Sequence, residues 1–207
     1  MKRISIVGLG YVGLPLAVAT ANAGHQTTGI DIDSSKIAKL KKSDSYIEDV
    51  SNTELNEAIN SGSLTFSSDL AAVSNSEIVI ICVPTPLDEQ RDPDLTALSV
   101  AVKSVVPYLS KGSLLISEST SYPGTIRELI IPLIEQIHGR EHGILLASAP
   151  ERVDPGNSFF GYRNTPRVVG GINKEASKQA ADFYRTFCSE VFEVSSPEVA
   201  ETAKLLE

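Results

Sequence analysis

The chain has 207 residues, of which 42% are apolar, and a formal net charge of −8. The apolar fraction is enough for a packed core and excludes a disordered chain, and the acidic excess argues against nucleic acid or an anionic membrane surface as a partner. Its two cysteines show no pairing pattern, and no apolar run reaches the roughly 18–20 residues of a membrane span, so we expect a cytoplasmic protein.

The first residues leave a second interpretation open. Lys2 and Arg3 precede an apolar stretch, and the Ala-Asn-Ala sequence at 21–23 resembles a signal-peptidase site. A secretory signal is therefore an alternative for this segment. Three glycines interrupt the apolar run at spacings that a signal peptide has no reason to keep, and cleavage would remove the first predicted strand, so we favour a folded N-terminus.

Short apolar runs alternate with helix-length amphipathic stretches along the chain. In chain order we predict a strand at 4–7, a helix at 12–23, a strand at 27–32, helices at 34–42 and 53–61, strands at 64–66 and 77–83, a helix at 95–109, a strand at 113–118, a helix at 124–137, strands at 144–148 and 167–170, a helix at 174–187, a strand at 191–194 and a helix from 197. Ser34 is the expected cap of the second helix.

This alternation predicts an α/β fold with a doubly wound, mostly parallel sheet and helices on both faces. The run at 77–83 is apolar on both faces, which is typical of a parallel strand covered by helices. Ligands of such sheets bind at the carboxyl ends of the strands. The segments that follow the strands are therefore the candidates for function.

A glycine motif lies between the first strand and the first helix. The sequence "IVGLGYVGLP" places Gly8, Gly10 and Gly13 in the G-x-G-x-x-G pattern of a Rossmann-like dinucleotide-binding fold. Gly8 permits the tight turn, Gly10 lets a pyrophosphate approach the backbone, and Gly13 lets the helix pack closely. We expect the amides of the first helical turn, including those of Tyr11 and Val12, to bind the phosphates.

An acidic residue ends the second predicted strand. Asp31 lies 18 residues after Gly13, where a carboxylate binds the adenosine ribose hydroxyls. It would repel the 2′-phosphate of NADP at ~4 Å by ~1 kcal/mol in water and by ~4 kcal/mol at an effective dielectric constant of 20, so we expect NAD as the cofactor. Lys36, at the start of the next helix, is either a ribose or adenine-side contact or a solvated surface lysine.

Three further loops follow predicted strands. Thr85 in "CVPTPLDEQRDPDL" lies between two prolines and borders the cofactor, unless this loop is a rigid crossover alone. Thr120 in "SESTSYPGT" offers a hydroxyl to a ligand or caps the next helix. Glu151, Arg152 and Asp154 in "SAPERVDPGN" either face a ligand or form an internal Glu–Arg pair.

The histidines and cysteines carry no pattern of their own. His25, His138 and His142 lie in predicted turns, without carboxylates at metal-ligand or triad spacing, and we expect three surface residues and no metal site. Cys82 lies in a predicted buried strand and Cys188 follows a helix. Both are expected to pack as small apolar residues, and neither is an expected nucleophile.

The motifs taken together carry a resemblance. In this order, "GLGYVGLP", "DID", "CVPTP", "ESTSYPGT", "PERVDPGN", "RVVGG" and "ETAKLLE" resemble the N-terminal NAD-binding domain of the UDP-glucose/GDP-mannose dehydrogenase family. The resemblance covers essentially the whole chain. "ESTSYPGT", "PERVDPGN" and the short "SYIEDV" are most similar to the branch that acts on UDP-N-acetylglucosamine or UDP-N-acetylmannosamine, and UDP-glucose is the alternative substrate.

The resemblance also implies a reaction and roles for residues. The family oxidises the 6-hydroxyl of the sugar to a carboxylate with two NAD, through a cysteine thiohemiacetal and thioester. It implies NAD contacts at Val12, Asp31, Lys36, Thr85 and Thr120, and substrate contacts at Glu151, Arg152, Val153, Asp154 and Lys204. The implied catalytic residues are Thr120, which positions water or substrate, Glu151, which assists thioester hydrolysis, and Lys204, which stabilises the oxyanion.

Two features of the family are not found in this sequence. The nucleophilic cysteine would lie in a Gly-Gly-x-Cys segment, and an asparagine would follow "KLLE" directly. We therefore expect a truncated enzyme, with an NAD-binding domain at 1–196 and the start of the central dimerisation helix at 197–207. The UDP-sugar domain would be missing. The full-length protein is expected to be a homodimer or a higher homo-oligomer. Such a chain would bind NAD without turnover.

Two alternatives to the nucleotide-sugar dehydrogenase remain. A stand-alone NAD-binding regulatory module would share the glycine motif and the acidic residue. A β-hydroxyacid dehydrogenase would have a similar cofactor domain and a lysine on a later helix, but it would leave "PERVDPGN" unexplained.

Overall fold

The computed structural model describes residues 1–152 and 164–206. Its strands are β1 (Arg3–Val7), β2 (Gln26–Ile30), β3 (Leu64–Ser67), β4 (Ile78–Ile81), β5 (Leu114–Ser117), β6 (Leu145–Ser148), β7 (Arg167–Gly171) and β8 (Val191–Glu193). Its α-helices are α1 (Gly13–Asn22), α2 (Ser34–Leu40), α3 (Asn52–Asn60), α4 (Thr96–Val105), α5 (Ile131–His138), α6 (Lys174–Tyr184) and α7 (Pro197–Leu205). Short 3-10 helices occupy Leu70–Asn75 and Val106–Tyr108, and a π-helix at Ile126–Ile130 leads into α5.

The strands form one sheet in the order β3–β2–β1–β4–β5–β6–β7–β8. Neighbours are parallel except for the antiparallel pair of β6 and β7. β1 lies third in this order, and its Val7 lies opposite Ile30 of β2 on one side and Ile81 of β4 on the other. The chain runs outward from β1 to β3 and then returns to β4, so the strand order reverses at β1. This confirms the predicted doubly wound, mostly parallel sheet and places its ligand crevice beside β1.

Apolar side chains of the central strands pack on both faces of the sheet. Ile80 of β4 belongs to one cluster with residues of α1 and α6, whereas Val79 and Ile81 belong to a second cluster with residues of α4 and α5. All three side chains are fully buried. Burying each one stabilises the fold by about 1.5–3 kcal/mol. The sheet is therefore a rigid support for the loops that follow its strands.

Two helices differ from their predicted form because of proline. The predicted helix at 124–137 begins as a π-helix and becomes α-helical only at Ile131, since Pro132 has no N–H for the bond to the carbonyl four residues earlier. The predicted helix at 95–109 ends at Val105 as an α-helix and continues for one 3-10 turn that contains Pro107.

The cap of α2 is Asp33 and not the expected Ser34. Asp33 has an extended backbone, and its carboxylate accepts hydrogen bonds from the Ser35 and Lys36 amides at 2.8 and 3.4 Å. Both residue types are good caps, so capping propensity alone does not distinguish these two neighbours. A hydrogen bond from the Ser35 hydroxyl, together with the one from the Ser35 amide, lowers the pKa of Asp33.

His25 is buried, and its prediction as a surface residue is wrong. Its Nδ1 accepts the Lys2 amide at 3.2 Å, and its Nε2 lies 3.0 Å from the hydroxyl of Thr186. That hydroxyl donates to the Phe183 carbonyl, so Nε2 is the donor and the ring is neutral. Burial lowers the pKa of His25 accordingly.

In the described parts of the chain, no helix is long and apolar enough to span a bilayer.

Candidate functional site

The glycine loop joins β1 to α1 at the carboxyl edge of the sheet. Gly8 has a φ of +94°, and a Cβ there would lie 2.6 Å from the Cys82 carbonyl oxygen. A Cβ on Gly13 would lie 1.8 Å from the Gly8 carbonyl oxygen, whereas one on Gly10 would meet nothing within 4 Å. The fold itself therefore requires glycine at two positions. At the third, Gly10, glycine leaves space above the backbone, as the approach of a pyrophosphate requires.

The first turn of α1 faces this space. Among the described residues no side chain caps α1, whose N-cap residue is Val12. The positive end of the helix dipole at this turn suits a phosphate. Tyr11, between the open glycine and Val12, is 67% exposed. The predicted phosphate-binding residues are thus brought together in one turn.

Asp31 follows β2 directly and is oriented toward the glycine loop. Its Oδ2 accepts the Leu9 amide at 3.0 Å and its Oδ1 accepts the Asp33 amide at 3.0 Å. The side chain is 9% exposed, so the carboxylate is largely fixed in place but reaches the crevice. Lys36 Nζ lies 3.4 Å from Oδ2 and 5.8 Å from the centroid of the Tyr46 ring. Lys36 is therefore paired with Asp31 at the site, and 38% of its side chain remains exposed.

A cavity of about 410 Å³ opens along the point where the strand order reverses. Gly8, Asp31 and Lys36 line its polar end, and Ile32 and Val100 are part of its apolar wall. The last two side chains are 85% and 57% exposed, so this apolar wall is accessible to a ligand. An apolar wall beside a fixed carboxylate and an open amide turn has the chemistry to hold the adenine, ribose and pyrophosphate of a dinucleotide.

The loops after β4 and β5 are joined to each other. Ser119 donates its hydroxyl to the Val83 carbonyl at 2.8 Å, which ties the Thr120 loop to the segment that carries Thr85. Thr85 and Thr120 are both half-buried. Pro84, directly before Thr85, lines the cavity described above. The structure therefore brings both predicted threonines to the edge that carries the glycine loop.

The start of the helix after Thr120 is capped from a distant part of the chain. Glu201 of α7 accepts the Gly124 amide at 2.7 Å and the Ile126 amide at 3.2 Å. Glu201 is 1% exposed, and burial raises its pKa. Neither contact was predicted from the sequence, because the partners are 77 and 75 positions apart. Lys204 lies one turn further along α7 and is partly buried. Because Glu201 anchors α7 to the start of the helix after Thr120, Lys204 is carried by a helix that is attached to the Thr120 loop.

Glu151 belongs to a buried charge cluster that sequence reasoning missed. Its Oε2 lies 2.6 Å from Arg167 Nη2, and its Oε1 accepts the Arg152 amide at 2.7 Å. Arg167 Nη1 also lies 3.6 Å from Glu118, which accepts a hydrogen bond from the hydroxyl of Tyr184. The guanidinium bound to Glu151 is thus that of Arg167. For the alternative of an internal Glu151–Arg152 pair, the contact between the two residues is the hydrogen bond that the Arg152 amide donates to Glu151.

Both cysteines are buried free thiols, as predicted. Burial raises the pKa of Cys82 well above its usual range, and the carboxylates of Glu118 and Glu151 raise it further. Burial also raises the pKa of Cys188 to about 11. Both thiols therefore stay protonated near neutral pH, and a protonated thiol is a poor nucleophile.

Two predicted substrate residues, Val153 and Asp154, lie outside the described residues. Within residues 1–152 and 164–206, no group of three or more potential ligands is placed to hold a metal ion. The candidate site of the described chain is thus the crevice from the glycine loop to the Thr120 loop, with Glu151 and α7 beyond it.

Residues 2–188 match the UDP-glucose/GDP-mannose dehydrogenase family, NAD binding domain. The chain belongs to this family. It is 36% identical over 208 residues to a UDP-N-acetyl-D-mannosamine dehydrogenase of Pyrococcus horikoshii, covering 99% of this chain and 49% of that protein. It is 35% identical over 208 residues to a UDP-N-acetyl-D-glucosamine 6-dehydrogenase of Pseudomonas aeruginosa, covering 99% and 48%.

A solved structure agrees with these relatives. The UDP-N-acetyl-mannosamine dehydrogenase of Staphylococcus aureus superposes with a TM-score of 0.90 at 33% identity, over 99% of this chain and 50% of that chain. This chain spans about half the length of the relatives that it matches. The family match makes NAD the cofactor of this domain. The amide turn, the carboxylate and the apolar wall fit that cofactor.

Proposed function

We propose that this chain is the NAD-binding part of a UDP-N-acetylhexosamine 6-dehydrogenase, which oxidises the 6-hydroxyl of the sugar to a carboxylate with two NAD. The observation that carries the substrate class is the similarity over the whole chain to relatives named for UDP-N-acetyl-D-mannosamine and UDP-N-acetyl-D-glucosamine. The domain spans 1–196, and the helix from 197 leads to the dimer interface of a homodimer or higher homo-oligomer.

The glycine loop and Asp31 hold the adenosine diphosphate half of the cofactor in this proposal. Asp31 accepts hydrogen bonds from the ribose hydroxyls while it keeps its bond to the Leu9 amide. Lys36 contacts the ribose side, and Thr85 contacts the cofactor from the loop after β4. Bound NAD supplies the hydride acceptor for each oxidation. The threonine loops after β4 and β5 flank the cofactor beyond the pyrophosphate, because both are tied to the same edge.

Three side chains act on the sugar. The Thr120 hydroxyl positions substrate or water. The Lys204 ammonium stabilises the negative charge that develops on the sugar oxygen, since a fixed cation stabilises an alkoxide most where water is excluded. Glu151 activates water for hydrolysis of the acyl intermediate. Arg167 supports this role because it holds the Glu151 carboxylate at 2.6 Å in a single orientation. Substrate contacts from Arg152, Val153 and Asp154 are part of the proposal.

The covalent step needs a thiolate that this chain does not offer. Cys82 and Cys188 are buried, and both have raised pKa values. A sugar aldehyde could reach neither sulfur without opening the core. We therefore infer that the 207-residue chain binds NAD but does not oxidise a UDP-sugar by itself.

The test is an activity panel with the product of the complete open reading frame. UDP-N-acetylglucosamine, UDP-N-acetylmannosamine and UDP-glucose are each incubated with NAD, and NADH absorbance is followed. Formation of two NADH per N-acetylated sugar is the expected result. Preference for UDP-glucose would overturn the substrate class. NAD binding without oxidation of any sugar would instead support the regulatory module.

A further inference from the structure

The segment that follows α2 lies against the glycine loop. This segment, residues 43–50, is anchored by Ile47 and Val50, which are 5% and 4% exposed. Between these anchors and α2, the half-buried Tyr46 donates its hydroxyl to the Leu9 carbonyl at 2.7 Å. The contact joins residues that are 37 positions apart. Family membership and the cofactor assignment do not explain why a tyrosine reaches into the phosphate loop here.

Side chains form hydrogen bonds with both backbone polar groups of Leu9, its N–H and its C=O. Its N–H donates to Asp31 Oδ2 at 3.0 Å, its C=O accepts from Tyr46 at 2.7 Å, and its own side chain is fully buried. The Leu9 carbonyl and the Gly10 amide belong to one planar trans peptide, so they point in opposite directions. Fixing the carbonyl therefore fixes the direction of the Gly10 N–H, at the position where the loop is open.

Lys36 contacts both Asp31 and Tyr46, the two residues whose side chains bind Leu9. Its ammonium lies 3.4 Å from Asp31 and 5.8 Å from the centroid of the Tyr46 ring. The tyrosine is thus held by a cation over its ring and by the hydrogen bond from its hydroxyl. Burial and the charges of Asp31 and Asp33 raise the pKa of Tyr46, so the hydroxyl remains a donor at neutral pH.

We propose that Tyr46 is a positioning residue for the cofactor: its hydroxyl sets the Leu9–Gly10 peptide in the orientation that binds the dinucleotide pyrophosphate. The tyrosine acts through the backbone and does not touch the cofactor. A loop already held in the bound orientation loses less freedom when the ligand arrives, which increases affinity. The inference rests on NAD binding at the glycine loop and is independent of the sugar substrate.

The experiment compares Tyr46→Phe with the wild-type chain for three ligands: NAD, ADP and adenosine. The variant removes one hydroxyl and keeps the ring beneath Lys36. The Kd values of NAD and ADP should rise about 2- to 12-fold, the equivalent of one neutral hydrogen bond. The Kd of adenosine, which has no pyrophosphate, should stay the same. Tyr108→Phe, in the 3-10 helix after α4, is the matched control and should change none of the three.

NMR ¹⁵N relaxation of the Gly10 amide gives a second measurement. In the free Tyr46→Phe variant the order parameter of this amide should be lower than in the wild-type chain, because its peptide is no longer held, and NAD should restore it. Unchanged NAD affinity would overturn the proposal, and so would an equal loss for all three ligands or an unchanged Gly10 order parameter. If the wild-type chain bound neither NAD nor ADP, the cofactor assignment itself would fall.

Discussion

Replacing Gly10 with alanine should separate cofactor binding from folding. The added methyl group would meet no atom of the described chain within 4 Å, and Gly10 does not have the positive φ that favours glycine. The variant should therefore fold as the wild-type chain does. The methyl group would instead occupy the space above the loop that the pyrophosphate needs.

The expected magnitudes follow from that geometry. A glycine-to-alanine change at a compatible position stabilises a fold by about 0.4–1 kcal/mol, because it restricts the unfolded chain. Moving a phosphate off the backbone removes at least one hydrogen bond to a charged group, which contributes about 1.5–3 kcal/mol. The Kd of NAD should thus rise roughly 10- to 150-fold, since each ~1.4 kcal/mol is a factor of ten.

Calorimetric titration with NAD and thermal unfolding of the same samples measure the two effects. Gly13→Ala is the contrasting variant, because its Cβ would lie 1.8 Å from the Gly8 carbonyl oxygen. It should lose stability by about 1–3 kcal/mol or more, since the backbone must shift to make room. The reasoning is refuted if Gly10→Ala binds NAD as tightly as the wild-type chain, or if it unfolds at a clearly lower temperature.

Three further predictions concern charged and titratable side chains. Asp31→Asn should lower the ratio of the NADP Kd to the NAD Kd at least fivefold, because it removes a repulsion of ~1–4 kcal/mol; paired titrations that give the wild-type ratio would exclude Asp31 as the discriminating group. Glu201→Ala should lower the free energy of unfolding by about 1–3 kcal/mol, since two buried amides lose their acceptor. Glu198→Ala, which breaks a partly exposed ion pair on the same helix, should cost about 1 kcal/mol or less; equal losses in urea titrations would contradict the buried cap. His25 has a lowered pKa in the fold, so its stabilisation is present above the unfolded value of about 6.5 and is lost as pH falls below it. His25→Gln should lack that drop in urea titrations across this pH range, and an identical pH profile would count against the assignment.

The parts of the fold that the sequence predicts are those encoded locally. The run at 77–83 is apolar at consecutive positions, and a strand buried on both faces is the structure that such a run favours. The glycine motif was identified because its residues lie within one turn, between a strand and a helix. Asp31 could be added because its place follows from the length of that βαβ unit. Together these local signals predict where the cofactor crevice lies in the fold.

The contacts that sequence reasoning missed are non-local. Glu201 caps a helix mouth 77 residues earlier, and Tyr184 reaches Glu118 across 66 residues. No periodicity or spacing encodes such pairs, because they depend on how the sheet order brings strand ends together. Local competition explains the smaller errors, such as the cap at Asp33, where two adjacent residues had equal propensity. The structure brings the glycine loop, Asp31 and Lys36 together at one edge of the sheet, but the distant contacts that hold the neighbouring loops were not predictable from the sequence.

The buried cluster of Glu118, Arg167 and Glu151 is one of the non-local contacts that the sequence did not predict, and it bears directly on the site. Arg167 is 1% exposed, and taking a charged group out of water costs several kcal/mol that its partners only partly offset. Apolar residues of similar volume would often stabilise a core at least as well, so stability alone is a weak reason for this cluster. Its geometry offers another reason: one guanidinium on β7 holds carboxylates at the ends of β5 and β6. If Glu151 activates water as proposed, a fixed orientation is what that role requires, and the charge cluster supplies it from the rigid sheet.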